Sequence, residues 1–147
     1  LLRAAIGADP HLHSRGIAVQ SAGTHGWEAA PASALAVEVM RERGVEISGH
    51  RSQVLSEALV EWADLILTMT AAQDGWIRHV FPGTGGKVMR LAEYSGAAGD
   101  IGDPYGADPG EYTQCADALA ALVPGVLARL ARTIQEEARE FSGPNDQ

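Results

Sequence analysis

Apolar and polar positions along this chain fall into blocks whose spacing switches between helical and strand-like. Leu1-Leu2-Arg3-Ala4-Ala5-Ile6 reads as the tail of a helix, stopped by Gly7 and the Asp9-Pro10 pair. Residues 17–22 alternate as a strand and end at Gly23. Residues 33–43 place Leu35, Val39 and Met40 on one helical face, with Gly44 as the stop. Residues 55–63 predict a short helix with Ser56 as its cap. Residues 64–69 predict a strand buried on both faces, since the run is almost continuously apolar. Thr70 is placed to cap a helix over residues 71–80, and residues 87–91 form a further strand candidate. A loop rich in Gly, Asp and Pro follows over residues 93–110. Leu119, Leu122, Val123, Val126, Leu127, Leu130 and Ile134 then mark a final helix, which Pro124 should kink or divide.

The order is helix, strand, helix, strand, helix, strand, helix. Such alternation predicts an α/β fold, a small open parallel sheet with helices on both faces. Three strands make a small sheet, and a strand before Leu1 would supply a fourth. A helix without a cap at its start asks for the same upstream piece. One domain is expected over residues 1–141, with a polar tail at 142–147.

Composition narrows the classes. The chain has 147 residues, 46 % hydrophobic and 20 % charged, ordinary values for one globular domain. Its formal net charge of −8 repels nucleic acid and anionic membrane, so neither is expected as a partner. The apolar runs look short and broken, which predicts no membrane-spanning segment. Cys115 is the one cysteine, so an internal disulfide or a multi-cysteine zinc site is excluded and a cytoplasmic setting is expected.

Three candidate chemistries fail on spacing. Gly83-Thr84-Gly85-Gly86-Lys87 has a nucleotide-loop flavour, but Phe81 and Val88 stand where Gly and Ser or Thr are required, so it reads as a turn. His11 and His13 lack a surrounding ligand pattern and read as surface residues; no metal and no cofactor are expected. A phosphocysteine enzyme needs Cys, five residues, then Arg, because loop amides and the guanidinium fork surround three phosphate oxygens. Six positions after Cys115 stands Ala121, and Cys115 reads as a buried structural thiol.

Four stretches in order carry a resemblance. They are Ser21-Ala22-Gly23-Thr24-His25-Gly26-Trp27; Gly44-Val45-Glu46-Ile47-Ser48-Gly49-His50-Arg51-Ser52; Ala63-Asp64-Leu65-Ile66-Leu67-Thr68-Met69-Thr70; and Gly102-Asp103-Pro104-Tyr105-Gly106, followed by Tyr112. From Leu1 to about Leu130 the chain resembles the low-molecular-weight protein tyrosine phosphatases. The Gly-Asp-x-x-Asp-Pro-aromatic-Gly run at residues 99–106 is similar to their bacterial branch, which includes protein arginine phosphatases. The resemblance implies a flavodoxin-like, phosphotyrosine phosphatase I type sheet. It also implies that the first strand and the Cys-x5-Arg-Ser catalytic loop are missing from residues 1–147, so that this piece by itself is inactive.

The resemblance further implies hydrolysis of a phosphorylated protein or a small aryl phosphate through a phosphocysteine. Asp103 matches the family's general acid, with Pro104 restricting its backbone. Ser21 and His50 match the pair that supports the catalytic loop by hydrogen bonds. Trp27 and Tyr105 are candidate walls for an aromatic substrate. Asp100 and Asp108 read as solvated turn residues, Arg51 and Arg78 as a solvated face, and Trp62 and Trp76 as core or half-buried. Two alternatives stay open. One is a noncatalytic remnant that binds a phosphoprotein; the other is a thioredoxin-coupled arsenate reductase, against which the absence of a cysteine pair argues.

Overall fold

Short-range signals build most of the helices. The computed structural model describes residues 1–141; the tail expected at 142–147 lies outside them. Helix α1 is Leu2–Ala8 and α2 is Pro10–His13. Asp9 caps α2 by accepting the His11 and Leu12 amides, with Pro10 at the first helical position, so the pair that stops one helix also starts another. Helix α3 is Ala34–Glu42, where Ser33 accepts the Ala36 amide. Helix α4 is Glu57–Trp62, where Ser56 accepts the Leu59 amide. Helix α5 is Ala71–Val80, opened by a reciprocal capping box between Thr70 and Gln73.

Strands β1, Ile66–Thr68, and β2, Val88–Arg90, pair in parallel with Ile66 opposite Val88 and Thr68 opposite Arg90. Leu67 and Met89 lie on one face and pack into the cluster of Leu91, Tyr94 and Val126. Val88, almost wholly buried, lies on the other face, and α5 packs on both strands. The small parallel sheet with helices is thus as expected, but it has two strands rather than three among the described residues.

Residues 17–22 are the strand that did not form. Ile17 and Val19 are half-buried and Ala18 and Gln20 exposed, so the alternation is there. A ladder needs a partner's amides and carbonyls, and among the described residues no bridge falls within 17–22; the nearest is the parallel bridge between the following residue, Gly23, and Val54. Ile66 and Leu67 are half-buried rather than buried, because β1 has a paired neighbour on one side only. Trp62, placed in or near the core by the sequence, is 48 % exposed at the end of α4.

Two elements arise inside stretches read as loop and turn. Helix α6, Leu91–Ser95, buries Leu91, Ala92 and Tyr94 and closes at Gly96. A 3-10 turn spans Pro82–Lys87. Arg78, expected on a solvated face, pairs with Asp74 and donates to the Gly85 and Val88 carbonyls, tying α5 to this turn and to β2.

Helix α7, Pro109–Phe141, runs unbroken through Pro124. Proline removes one amide donor and crowds the preceding turn, yet the helix continues because both halves are packed. Tyr112 and Ala116 pack on Val39 of α3, and Val126 packs on Leu91 and Tyr94 of α6. Gly125, next to the proline, lets α7 approach the Ser95 carbonyl at the end of α6. By length and composition α7 is long and apolar enough to cross a membrane, with a mean hydropathy of 1.3 in its most apolar window. The expectation of short broken runs fails here because Pro124 does not interrupt the helix.

Candidate active site

Three loops carry the expected site residues, and the third is tied to the carboxyl end of the sheet, where the Ile101 amide donates to the Met69 carbonyl just after β1. The first runs from Ser21 to Ala30. Gly23 donates to the Gln53 carbonyl at 2.9 Å and accepts from the Leu55 amide at 2.9 Å, so this loop is zipped to residues 53–55. Gln53 Nε2 adds a bond to the Ser21 carbonyl at 2.9 Å. A Cβ on Gly23 would stand 2.7 Å from the His25 carbonyl oxygen, so this tight turn requires glycine.

The second loop, residues 44–55, carries His50. Glu46 Oε1 accepts the Ser48 amide at 2.7 Å, and that bond chiefly holds its carboxyl below the usual carboxylate range. Arg51 folds back onto the Ser48 and His50 carbonyls instead of pointing freely into solvent. Ser21, His50 and Ser52 line one shallow concavity of about 210 Å³, with Ala22, Gly23 and Gln53. Both expected support residues therefore reach one hollow, although each is exposed.

Ser52 has a role that its place at the end of the second motif does not announce. Its Oγ accepts the Ala30 amide at 3.0 Å and donates to the Trp27 carbonyl, and its own amide donates to the Ala30 carbonyl at 2.9 Å. These bonds clasp the arch that carries Trp27. His25 rests on Trp76 of α5, ring centroids 5.3 Å apart, which fixes the near side of that arch. Trp27 itself is 85 % exposed. An apolar ring this exposed is available to a ligand.

The third loop, residues 96–108, carries Asp103 and Tyr105. Asp103 Oδ1 accepts the Tyr105 amide at 2.9 Å, a local turn bond that ties the carboxyl to the backbone of Tyr105. Among the described residues Asp103 Oδ2 has no hydrogen-bond partner, and Tyr105 is 82 % exposed. Two carboxylates of this loop differ from their expected role as solvated turns. Asp108 accepts the Glu111 amide and caps α7. Asp100 accepts the Ala71 amide and pairs with Arg90. No hydrogen bond among the described residues joins the Asp103 loop to the concavity holding Ser21 and His50.

Cys115 is half-buried on α7, not fully buried as expected, with Sγ 3.7 Å from the Gly102 carbonyl. Burial pushes its thiol up from the ordinary value, and the nearby Asp103 carboxylate adds to the shift. A nucleophilic cysteine needs the opposite displacement. The charge relation is testable. Asp103→Asn is expected to speed alkylation of Cys115 by iodoacetamide at pH 8, because removing the carboxylate charge raises the thiolate fraction. An unchanged rate would separate the two groups in solution.

The family pattern described as low molecular weight phosphotyrosine protein phosphatase matches residues 8–137. The chain belongs to this family. A protein-arginine-phosphatase of Geobacillus stearothermophilus is 36 % identical over 123 residues, covering 83 % of this chain and 80 % of the relative. A probable low molecular weight protein-tyrosine-phosphatase EpsP of Ralstonia solanacearum is 42 % identical over 117 residues, covering 80 % and 77 %. Among solved structures, the YwlE arginine phosphatase from Geobacillus stearothermophilus superposes with a TM-score of 0.72 at 31 % identity, over 99 % of this chain and 92 % of that one. A YwlE mutant from Bacillus subtilis gives 0.75 at 32 % identity, over 88 % and 86 %. The bacterial branch of the family is therefore the correct one, as the run at residues 99–106 implied.

Proposed function

We propose that this protein is a cysteine-dependent phosphomonoester hydrolase, acting on a phosphorylated protein or a small aryl phosphate, with Asp103 as its general acid. The observation that carries this reading is the free Oδ2 of Asp103. Its carboxyl is bonded to the backbone of an exposed aromatic residue, on a loop anchored at the carboxyl end of a parallel sheet, where open α/β folds bind their ligands. Asp103 also stands in the Asp-Pro-aromatic context the family shares.

In this mechanism a cysteine thiolate attacks phosphorus while the bond to the leaving oxygen breaks. Asp103 gives that oxygen a proton, because an alkoxide or aryloxide leaves poorly without one. In phosphoarginine a nitrogen leaves in the same way. The Asp103 carboxylate then takes a proton from water, whose oxygen attacks the phosphocysteine and releases phosphate and the thiolate. Trp27 and Tyr105 flank the leaving group, and Ser21 and His50 hold the catalytic loop by hydrogen bonds.

The nucleophile in this reading is not Cys115, whose thiol is shifted away from ionisation and which no Arg follows at the required spacing. It lies in a Cys-x5-Arg segment preceding Leu1. The test is to read the codons upstream of Leu1 and assay the full gene product beside residues 1–147. The full product is expected to hydrolyse phenyl phosphate and phosphoarginine or phosphotyrosine peptide, and residues 1–147 alone to be inert. Upstream codons without a Cys-x5-Arg segment would end the catalytic reading for this chain. Tight phosphopeptide binding by residues 1–147 alone would favour a noncatalytic binding protein instead.

A further inference from the structure

Asp100 stands three residues before Asp103, on the arm of the loop that arrives from α6. Its Oδ1 accepts the Ala71 amide at 3.0 Å and meets Arg90 Nη1 at 3.3 Å. The next residue, Ile101, donates its amide to the Met69 carbonyl at 2.9 Å. Ala71 opens α5, Arg90 ends β2 and Met69 follows β1. One carboxylate oxygen and one amide thus tie the loop arm to three elements that meet at the edge of the sheet.

The chemistry suits the place. The Ala71 amide is a first-turn donor with no partner inside its helix, and a carboxylate there is favoured by the helix dipole. Arg90 also pairs with Glu93, so its guanidinium is held from the other side. Downstream, the arm at Asp108 is fixed as the cap of α7. Between these anchors, residues 102–107 make, among the described residues, only local turn bonds and the long contact from Cys115 to the Gly102 carbonyl. The anchor nearest to Asp103 along the chain is therefore the arm at residues 100 and 101.

We propose that Asp100 is a positioning residue for the general acid, clamping the Asp103 loop onto α5, β1 and β2. The inference rests on the reading of Asp103 given above. The Asp100 side chain is 46 % exposed, and a partly exposed ion pair adds little to global stability. Loss of the clamp should thus loosen the loop and leave the fold intact.

Two measurements test this. In hydrogen exchange on the chain itself, Asp100→Ala is expected to accelerate the Ile101 and Tyr105 amides and to leave those of Val88 and Val126 unchanged. Asp100→Asn, which keeps an oxygen for the Ala71 amide, should restore part of the protection. Unchanged exchange at Ile101 and Tyr105 overturns the clamp, and so does acceleration throughout the core. In the full gene product, Asp100→Ala is expected to lower kcat for phenyl phosphate by roughly 10-fold to 10²-fold, the scale of a small misplacement of a reacting group. The loss should be much smaller for p-nitrophenyl phosphate, whose oxygen leaves without help. On an Asp103→Asn background the same substitution should cost nothing more. Losses that multiply in the double variant overturn the positioning role. Full activity of Asp103→Asn alone instead removes the acid reading itself, whichever way the loop exchange falls.

Discussion

Asp103→Asn is expected to lower kcat for phenyl phosphate by ~10²–10⁴-fold in the full gene product, the range in which a positioned proton donor contributes. The substitution isolates the proton. An asparagine keeps Oδ1, so it still accepts the Tyr105 amide and preserves the local turn. What it loses is the exchangeable carboxyl proton and, in the second half-reaction, the base that activates water. The loss should therefore grow with the basicity of the leaving oxygen: largest for phenyl phosphate, smallest for p-nitrophenyl phosphate. A leaving-group series measured by steady-state and burst kinetics checks it. The same small loss across the whole series would place Asp103 in substrate binding, and no loss would take it out of the reaction.

Gly125→Ala is expected to destabilise the fold by about 1–3 kcal/mol, the usual scale of overpacking. The added Cβ would overlap the Ser95 carbonyl oxygen and stand 3.0 Å from its carbonyl carbon and 3.1 Å from its Cα. These are backbone atoms at the closed end of α6, pinned by the Gly96 cap and by Ala97, whose amide donates to the Ala92 carbonyl. They cannot swing aside as a side chain would. Relief would require α7 to move off α6, which opens the cluster of Leu91, Tyr94 and Val126. Gly75→Ala is the matched control. It lies within α5, a Cβ there meets nothing within 4 Å, and the helix gains roughly 0.5–1 kcal/mol from the replacement. Urea unfolding of both variants checks the pair. A Gly125→Ala protein as stable as the parent would mean that α6 and α7 are not packed this closely in solution.

Elements whose signals act within one turn are legible in the residues themselves. Ser33, Ser56 and Thr70 each accept the amide three residues on, and the Gln73 return bond completes the box. Those bonds close within a single segment, so the local residues specify them. The order of strand, helix and strand from β1 through α5 to β2 is readable for the same reason. The motifs around Ser21, His50 and Asp103 are legible as a family pattern, and the family is correct.

Other features depend on partners far away in the chain, which the local pattern cannot report. Residues 17–22 alternate as a strand should, yet among the described residues they have no strand neighbour, and bridging begins only after them, at Gly23. Pro124 carries the usual signal for a break, yet packing on α3 and α6 holds one helix across it. Leu91–Ser95 begins on the last residue of a strand candidate and runs into a stretch read as loop, and burial against α7 favours it as a helix.

The residues themselves determined which groups are candidates for the chemistry, because acid, hydroxyl and imidazole functions are properties of side-chain type. The tertiary structure alone decided what those groups meet. It brought Ser21 and His50 to one hollow. It turned Asp100 from a solvated turn residue into an anchor on an amide 29 positions away and on Arg90. Hydrogen bonds and ion pairs reward proximity in space, and at such separations proximity is set by how the sheet and helices pack.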